Sequence, residues 1–197
     1  MPMRLPLIVA ALALLPALLA LPRPALAGHD TGAVVSFWAF SHDGRHLLLY
    51  VEDENRGAVL AVKAVGKLRS LHEIPTGGQP PQAFLQMPPL SKYRFVDGGV
   101  KGPDSPDGKA KILATPAKTS FQVFMTNGAK MVPMFSLPLD KDPTGTQFGT
   151  ATLKEIVWSS NGRVGALIVN QTLVSEYGAN VDQVISFPTA PYFKKLK

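Results

Sequence analysis

The stretch Asp140-Lys-Asp-Pro-Thr144-Gly145 offers oxygen ligands at metal-binding spacing. As a calcium loop, Asp140, Asp142 and Thr144 fall at positions 1, 3 and 5, with Gly145 at the bend. Position 12 is Ala151, where such a loop needs a bidentate glutamate, and Pro143 restricts Asp142 to an extended backbone. A calcium site here must borrow a carboxylate from elsewhere; the alternative is a solvated turn after Leu139. Imidazoles and thioethers form a second set suited to copper: His42 and His46, with His29, His72, Met87, Met125, Met131 and Met134. A tight turn separates His42 from His46, so their rings need not converge, and Met125 and Met131 read as core side chains from opposite arms of one hairpin. Nucleophilic chemistry finds less: there is no cysteine and no G-x-S-x-G elbow. Gly77-Gly78 and Gly98-Gly99 lack the Lys-Ser/Thr of a phosphate loop and read as loops, and Glu52-Asp53-Glu54 reads as a solvated turn at a strand end.

The start of the chain supplies an address. Met1 to Arg4 is a short basic segment, Leu5 to Leu21 is apolar and uncharged, and Ala25 and Ala27 put small residues at −3 and −1. Residues 1–27 are therefore expected to be a cleaved secretory signal peptide; prolines 6, 16 and 22 weaken the alternative of a permanent helical anchor. Residues 28–197 then form a single domain without a further membrane span. With no cysteine the protein is not a lipoprotein and has no disulfides, which points to a bacterial source and a secreted or periplasmic location. The part after residue 27 keeps 18 Lys+Arg against 14 Asp+Glu and ends in Lys194-Lys195-Leu196-Lys197. Those cations are scattered, which suits solubility or loose attraction to an anionic envelope and not a nucleic-acid face.

Any site must be positioned by strands. Short apolar, β-branched and aromatic runs recur at Ala33–Phe40, Leu47–Glu52, Val59–Val65, Lys92–Val96, Phe121–Met125, Met131–Leu137, Leu153–Trp158, Val164–Asn170 and Val181–Phe187. No long stretch carries helical spacing without a breaker; a short helix at Pro81–Gln86 is expected to stop at Pro88-Pro89. Asn127-Gly128 predicts a hairpin with a type I′ turn, and Pro133 puts its return strand at a sheet edge. The fold class is mainly β, antiparallel, of small propeller-like or sandwich architecture.

Three segments repeat one pattern. Phe40-Ser41-His-Asp43-Gly44-Arg45 precedes Leu47–Leu49, Trp158-Ser159-Ser-Asn161-Gly162-Arg163 precedes Ala166–Val169, and Ser105-Pro-Asp107-Gly108-Lys109 precedes Ile112–Ala114. The third has Asp104 in place of the aromatic. Serine can bond the turn backbone, Asp or Asn tolerates the turn, and glycine takes positive φ. The pattern resembles the repeat of WD- and TolB-type β-propellers, which implies a strand, a turn and a returning strand within each blade. The copies lie 64 and 54 residues apart, wider than one blade of ~40–50 residues. S-x-D-G is also sound hairpin chemistry in any β protein. Ile156 to Pro188 looks like the end of an uncharacterised family of predicted secreted bacterial proteins.

Asp140-x-Asp142-x-Thr144 also resembles the nucleophile motif of haloacid-dehalogenase-type phosphatases, which implies a later acidic pair for magnesium. Only Glu155, Glu176 and Asp182 follow, widely separated, and the likeness stops there. The function expected is a non-catalytic binding or scaffold module for an envelope protein. Tyr93, Arg94, Trp38 and Tyr177 are of interface-rich types, with core packing as the alternative. A calcium- or copper-binding envelope protein and an enzyme of unrecognised type are the other readings.

Overall fold

The computed structural model describes residues 33–53, 57–67, 70–76, 88–175 and 178–197. The leader at 1–27, His29, Glu54, Gly77-Gly78, the helix expected at Pro81–Gln86, Met87, Glu176 and Tyr177 lie outside them. In chain order the elements are β1 (Val34–Ser41), β2 (His46–Asp53), β3 (Gly57–Ala64), β4 (Leu71–Pro75), α1 (Pro88–Ser91), β5 (Phe95–Asp97), β6 (Val100–Lys101) and β7 (Lys111–Pro116). They continue with β8 (Ser120–Thr126), β9 (Met131–Pro138), β10 (Ala151–Trp158), β11 (Val164–Leu173), β12 (Ala179–Pro188) and α2 (Ala190–Leu196). The protein is mainly β, and the strand pairs within its sheets are antiparallel.

Three sheets form, with orders β4-β3-β2-β1-β5, β12-β11-β10-β6 and β7-β8-β9; we call them A, B and C. Their stacking explains the apolar patterns. The unbroken run Val164-Gly-Ala-Leu-Ile-Val169 is buried on both faces, as such runs are in covered sheets. Val164, Ala166 and Ile168 meet Phe37, Phe40, Leu47 and Leu49 of sheet A. Leu167 and Val169 meet Ile112, Phe121, Val123 and Met125 of sheet C. Sheet B is thus the middle layer. Leu48 turns to the far side of sheet A, where Leu90 and Phe95 cover it. Strand β8 instead alternates strictly, burying Phe121, Val123 and Met125 and leaving the residues between them half-buried. This architecture fits both the propeller-like and the sandwich expectation.

Several local expectations change. Pro88-Pro89 opens α1, because a first-turn proline lacks only an N–H that has no helical partner. Lys92–Val96 is strand only from Phe95 onward. The Asn127-Gly128 hairpin forms, but only Gly128 has positive φ (+88°) and Asn127 bonds Lys130 across the loop. Glycine is then the first central residue, as in a type II′ turn. The turn is centred one residue later than Asn127-Gly128: Thr126 pairs with Met131, which lies on the outer face at 54% exposure while Met125 is buried. Pro133 does lie on an edge strand, beside a bulge at Met134. The basic C-terminus is the last turn of α2, where lysines suit the helix dipole and Leu196 is buried against sheet C. Among the described residues, no helix is long and apolar enough to cross a membrane.

Candidate functional site

The three repeated segments fold into the same turn. In each, the serine hydroxyl donates to the Asx Oδ1: Ser41 to Asp43 at 2.7 Å, Ser105 to Asp107 at 2.7 Å and Ser159 to Asn161 at 2.9 Å. The same Oδ1 accepts the N–H two residues on, from Arg45, Lys109 and Arg163 at 3.0, 3.1 and 2.9 Å. The serine Oγ then accepts the N–H of the returning strand, from His46, Ala110 and Val164 at 2.9, 3.0 and 3.0 Å. Gly44, Gly108 and Gly162 have φ of +66°, +68° and +68°, a conformation that costs a residue with a Cβ. All three serines are buried, so each turn is a closed network.

The stack brings the turns together. A Cβ on Gly44 would lie 3.3 Å from Val164, which sets the first turn against the start of β11. One on Gly162 would lie 3.7 Å from Pro106, which sets the third turn beside the second. The chain between β5 and β6 ties this end to sheets A and B. Asp97 accepts the Ser160 N–H at 2.8 Å and its hydroxyl at 2.7 Å, as well as the Gly99 N–H. Gly99 (φ +72°) passes so close that a Cβ would sit 2.5 Å from Val157 and 2.9 Å from the Trp158 carbonyl oxygen. A shallow depression of about 390 Å³ lies at this end, edged by Pro106, Asp107, Ser160, Asn161, Arg163 and Phe193 among others.

These carboxylates are structural. The Ser41 hydroxyl, with the Arg45 N–H, holds Asp43 below the ordinary carboxylate range, and Ser105 with Lys109 does the same for Asp107. The expected metal loop behaves likewise. Asp140 accepts the N–H and hydroxyl of Ser175, both at 2.8 Å, and the amide lowers its pKa most. Asp142 accepts the Thr144 hydroxyl at 2.6 Å, which lowers its pKa most, and the N–H groups of Thr146 and Gln147. Asp140 and Asp142 thus bracket two different loops, and Ala151, at the twelfth position, is buried in the core. His46 packs on Tyr93 at 4.7 Å, His42 gives its N–H to the Arg94 carbonyl, and His72 is exposed on β4. Among the described residues no three His, Cys, Asp or Glu side chains converge as a metal site.

The interface-type residues divide. Tyr93 is half-buried between His46 and Phe95, and Arg94 is exposed with φ +48°. Trp38 is half-buried against the outer core of sheet A, as the unpaired residue of a β1 bulge. Residue reading missed a polar seam between sheets A and B. There Asp182, its side chain 2% exposed, accepts from Lys154 at 2.5 Å, the Val35 N–H at 2.9 Å and Asn170 at 2.8 Å. Burial pulls the Asp182 pKa up, but Lys154, the Val35 N–H and Asn170 outweigh it and leave the group below its ordinary value. The one signal was a charged residue inside the strand-like run Val181–Phe187. No family model and no curated protein matches this chain.

Proposed function

We propose that the chain is an exported, non-catalytic binding module of the bacterial envelope, built on propeller-like blades, that presents its turn-bearing end to a protein partner. The observation that carries this reading is the gathering of three equivalent turns at one end, each locked by its own serine and Asx, with the second and third edging a shallow depression. Arg45, Lys109 and Arg163 occupy the same position in each turn and are exposed. A rigid frame with adaptable polar groups at its surface suits recognition, because little ordering is lost on binding. The aspartates of the turns are held ionised by their donors, which suits scaffolding and not proton transfer near neutral pH. The leader read at 1–27 supports export to the periplasm or beyond.

Photo-crosslinking in an exporting host tests this. A photoreactive residue at Arg163 or Lys109 should give one discrete protein adduct, and one at exposed Ala117 in the β7–β8 loop should not. Absence of adducts from both turn positions, or the same adducts from Ala117, would overturn the reading.

A further inference from the structure

Sheet C is the outermost layer, and its outer face is covered by no described element. Leu113, Phe124 and Pro133 stand opposite one another across its three strands and form an apolar row on that face. Met131 lies in the next row, beside Thr126 and Lys111. Leu113 is 37% and Met131 54% exposed. The segment that carries this row is itself basic. Residues 108–139 contain no Asp or Glu and carry Lys109, Lys111, Lys118 and Lys130. Lys109 and Lys111 pair with Asp107 and Asp104, from just before the segment, at 3.3 and 3.4 Å. Lys118 lies in the exposed loop at one end of the sheet and Lys130 in the loop at the other.

From this arrangement we infer that the outer face of sheet C docks onto an anionic lipid surface. Exposed leucine and methionine can enter the headgroup boundary while lysines at both ends reach lipid phosphates on flexible stems. A broad occupant suits cations placed beyond both ends of the strands that carry the row. Strand addition by a protein is opposed at the β9 edge, where Pro133 and Pro138 lack N–H donors and Met134 bulges. A second copy placed face to face would set this lysine-rimmed surface against itself. The inference concerns a different surface from the turns and stands independently of the partner proposed there.

Vesicle sedimentation of the full chain, recovered as its exporting host processes it, tests the inference. The protein should pellet with phosphatidylglycerol vesicles and not with phosphatidylcholine, and should be released by high salt. Lys118→Gln and Lys130→Gln should each weaken binding about fivefold. Leu113→Ser with Met131→Ser should remove most of it, with near-UV circular dichroism unchanged to show that the fold survives. Equal binding to both vesicles, unmoved by these variants, would place the affinity in another segment and overturn the inference. No pelleting, with lysine-dependent binding to polyglutamate instead, would assign the face to an acidic protein and overturn it equally.

Discussion

Lys154 meets the Asp182 carboxylate at 2.5 Å although β10 and β12 are not neighbours; β11 runs between them and contributes Asn170 to the same carboxylate. Lys154 is the unpaired residue of a bulge in β10, and it also donates to the Val35 carbonyl of sheet A. One side-chain pair therefore links three strands of one sheet to the next sheet.

Because Asp182 titrates below its ordinary range in the folded protein, the unfolded chain binds its proton more readily. The stability it contributes is present above the ordinary carboxylate pKa of about 4 and is lost as pH falls through the lower folded value. Asp43, Asp107, Asp140 and Asp142 act with the same sign. Urea midpoints measured from pH 7 down to pH 3 should fall on the acid side. Asp182→Asn should flatten part of that slope and cost about 2 kcal/mol at pH 7, since its partner Lys154 is partly solvated.

Equivalence of the turns is testable by parallel substitution. Ser41→Ala, Ser105→Ala and Ser159→Ala each strand a strand N–H and remove the Asx partner, at a cost of about 1–3 kcal/mol. Three losses of similar size in chemical denaturation are expected; a neutral result at one turn would show that its network is not maintained in solution.

Gly99→Ala should destabilise by several kcal/mol, because the added methyl meets both the Val157 side chain and main-chain carbonyl of Trp158 at a positive φ. Gly66→Ala is a fair control, since it has nearly the same φ (+75°) but open space around it. The difference between their melting temperatures isolates the packing clash from the backbone strain.

The two tryptophans report on different layers. Trp158 is fully buried and donates its indole N–H to the Gly102 carbonyl at 3.0 Å, whereas Trp38 is half-buried. In a Trp38→Phe variant the remaining fluorescence should resist acrylamide, and in Trp158→Phe it should be quenched readily. The second variant should also lose about 2–3 kcal/mol.

Strand content was legible because local chemistry decides it. Alternation in β8, the apolar runs of β2 and β11, and the serine–Asx–glycine turns all carry their structure within ten residues. Strands β4 and β6 were missed: Leu71-His-Glu-Ile-Pro75 is too polar to read as a strand, and Val100-Lys101 is held only by pairing to β10. Helix α2 was hidden because its lysines read as a tail, and only burial of Leu196 against sheet C shows otherwise. The turn-bearing end was legible as three copies but not as a cluster, since turns 118 and 54 residues apart become neighbours only through stacking. The Lys154–Asp182 seam joins residues as distant as Val35 and Asp182, and no local pattern signals such a pair.

The middle layer has a consequence for biogenesis. Strands β10 to β12 of sheet B are the last to leave the ribosome, yet each of the two inter-sheet cores contains their side chains. Until residues 151–188 emerge, sheets A and C hold apolar faces with nothing to close on, and folding of the chain must wait for its final quarter. A nascent chain arrested at Thr150 should therefore be protease-sensitive along its length, and a holdase that shields those faces during transit would raise the yield of folded protein.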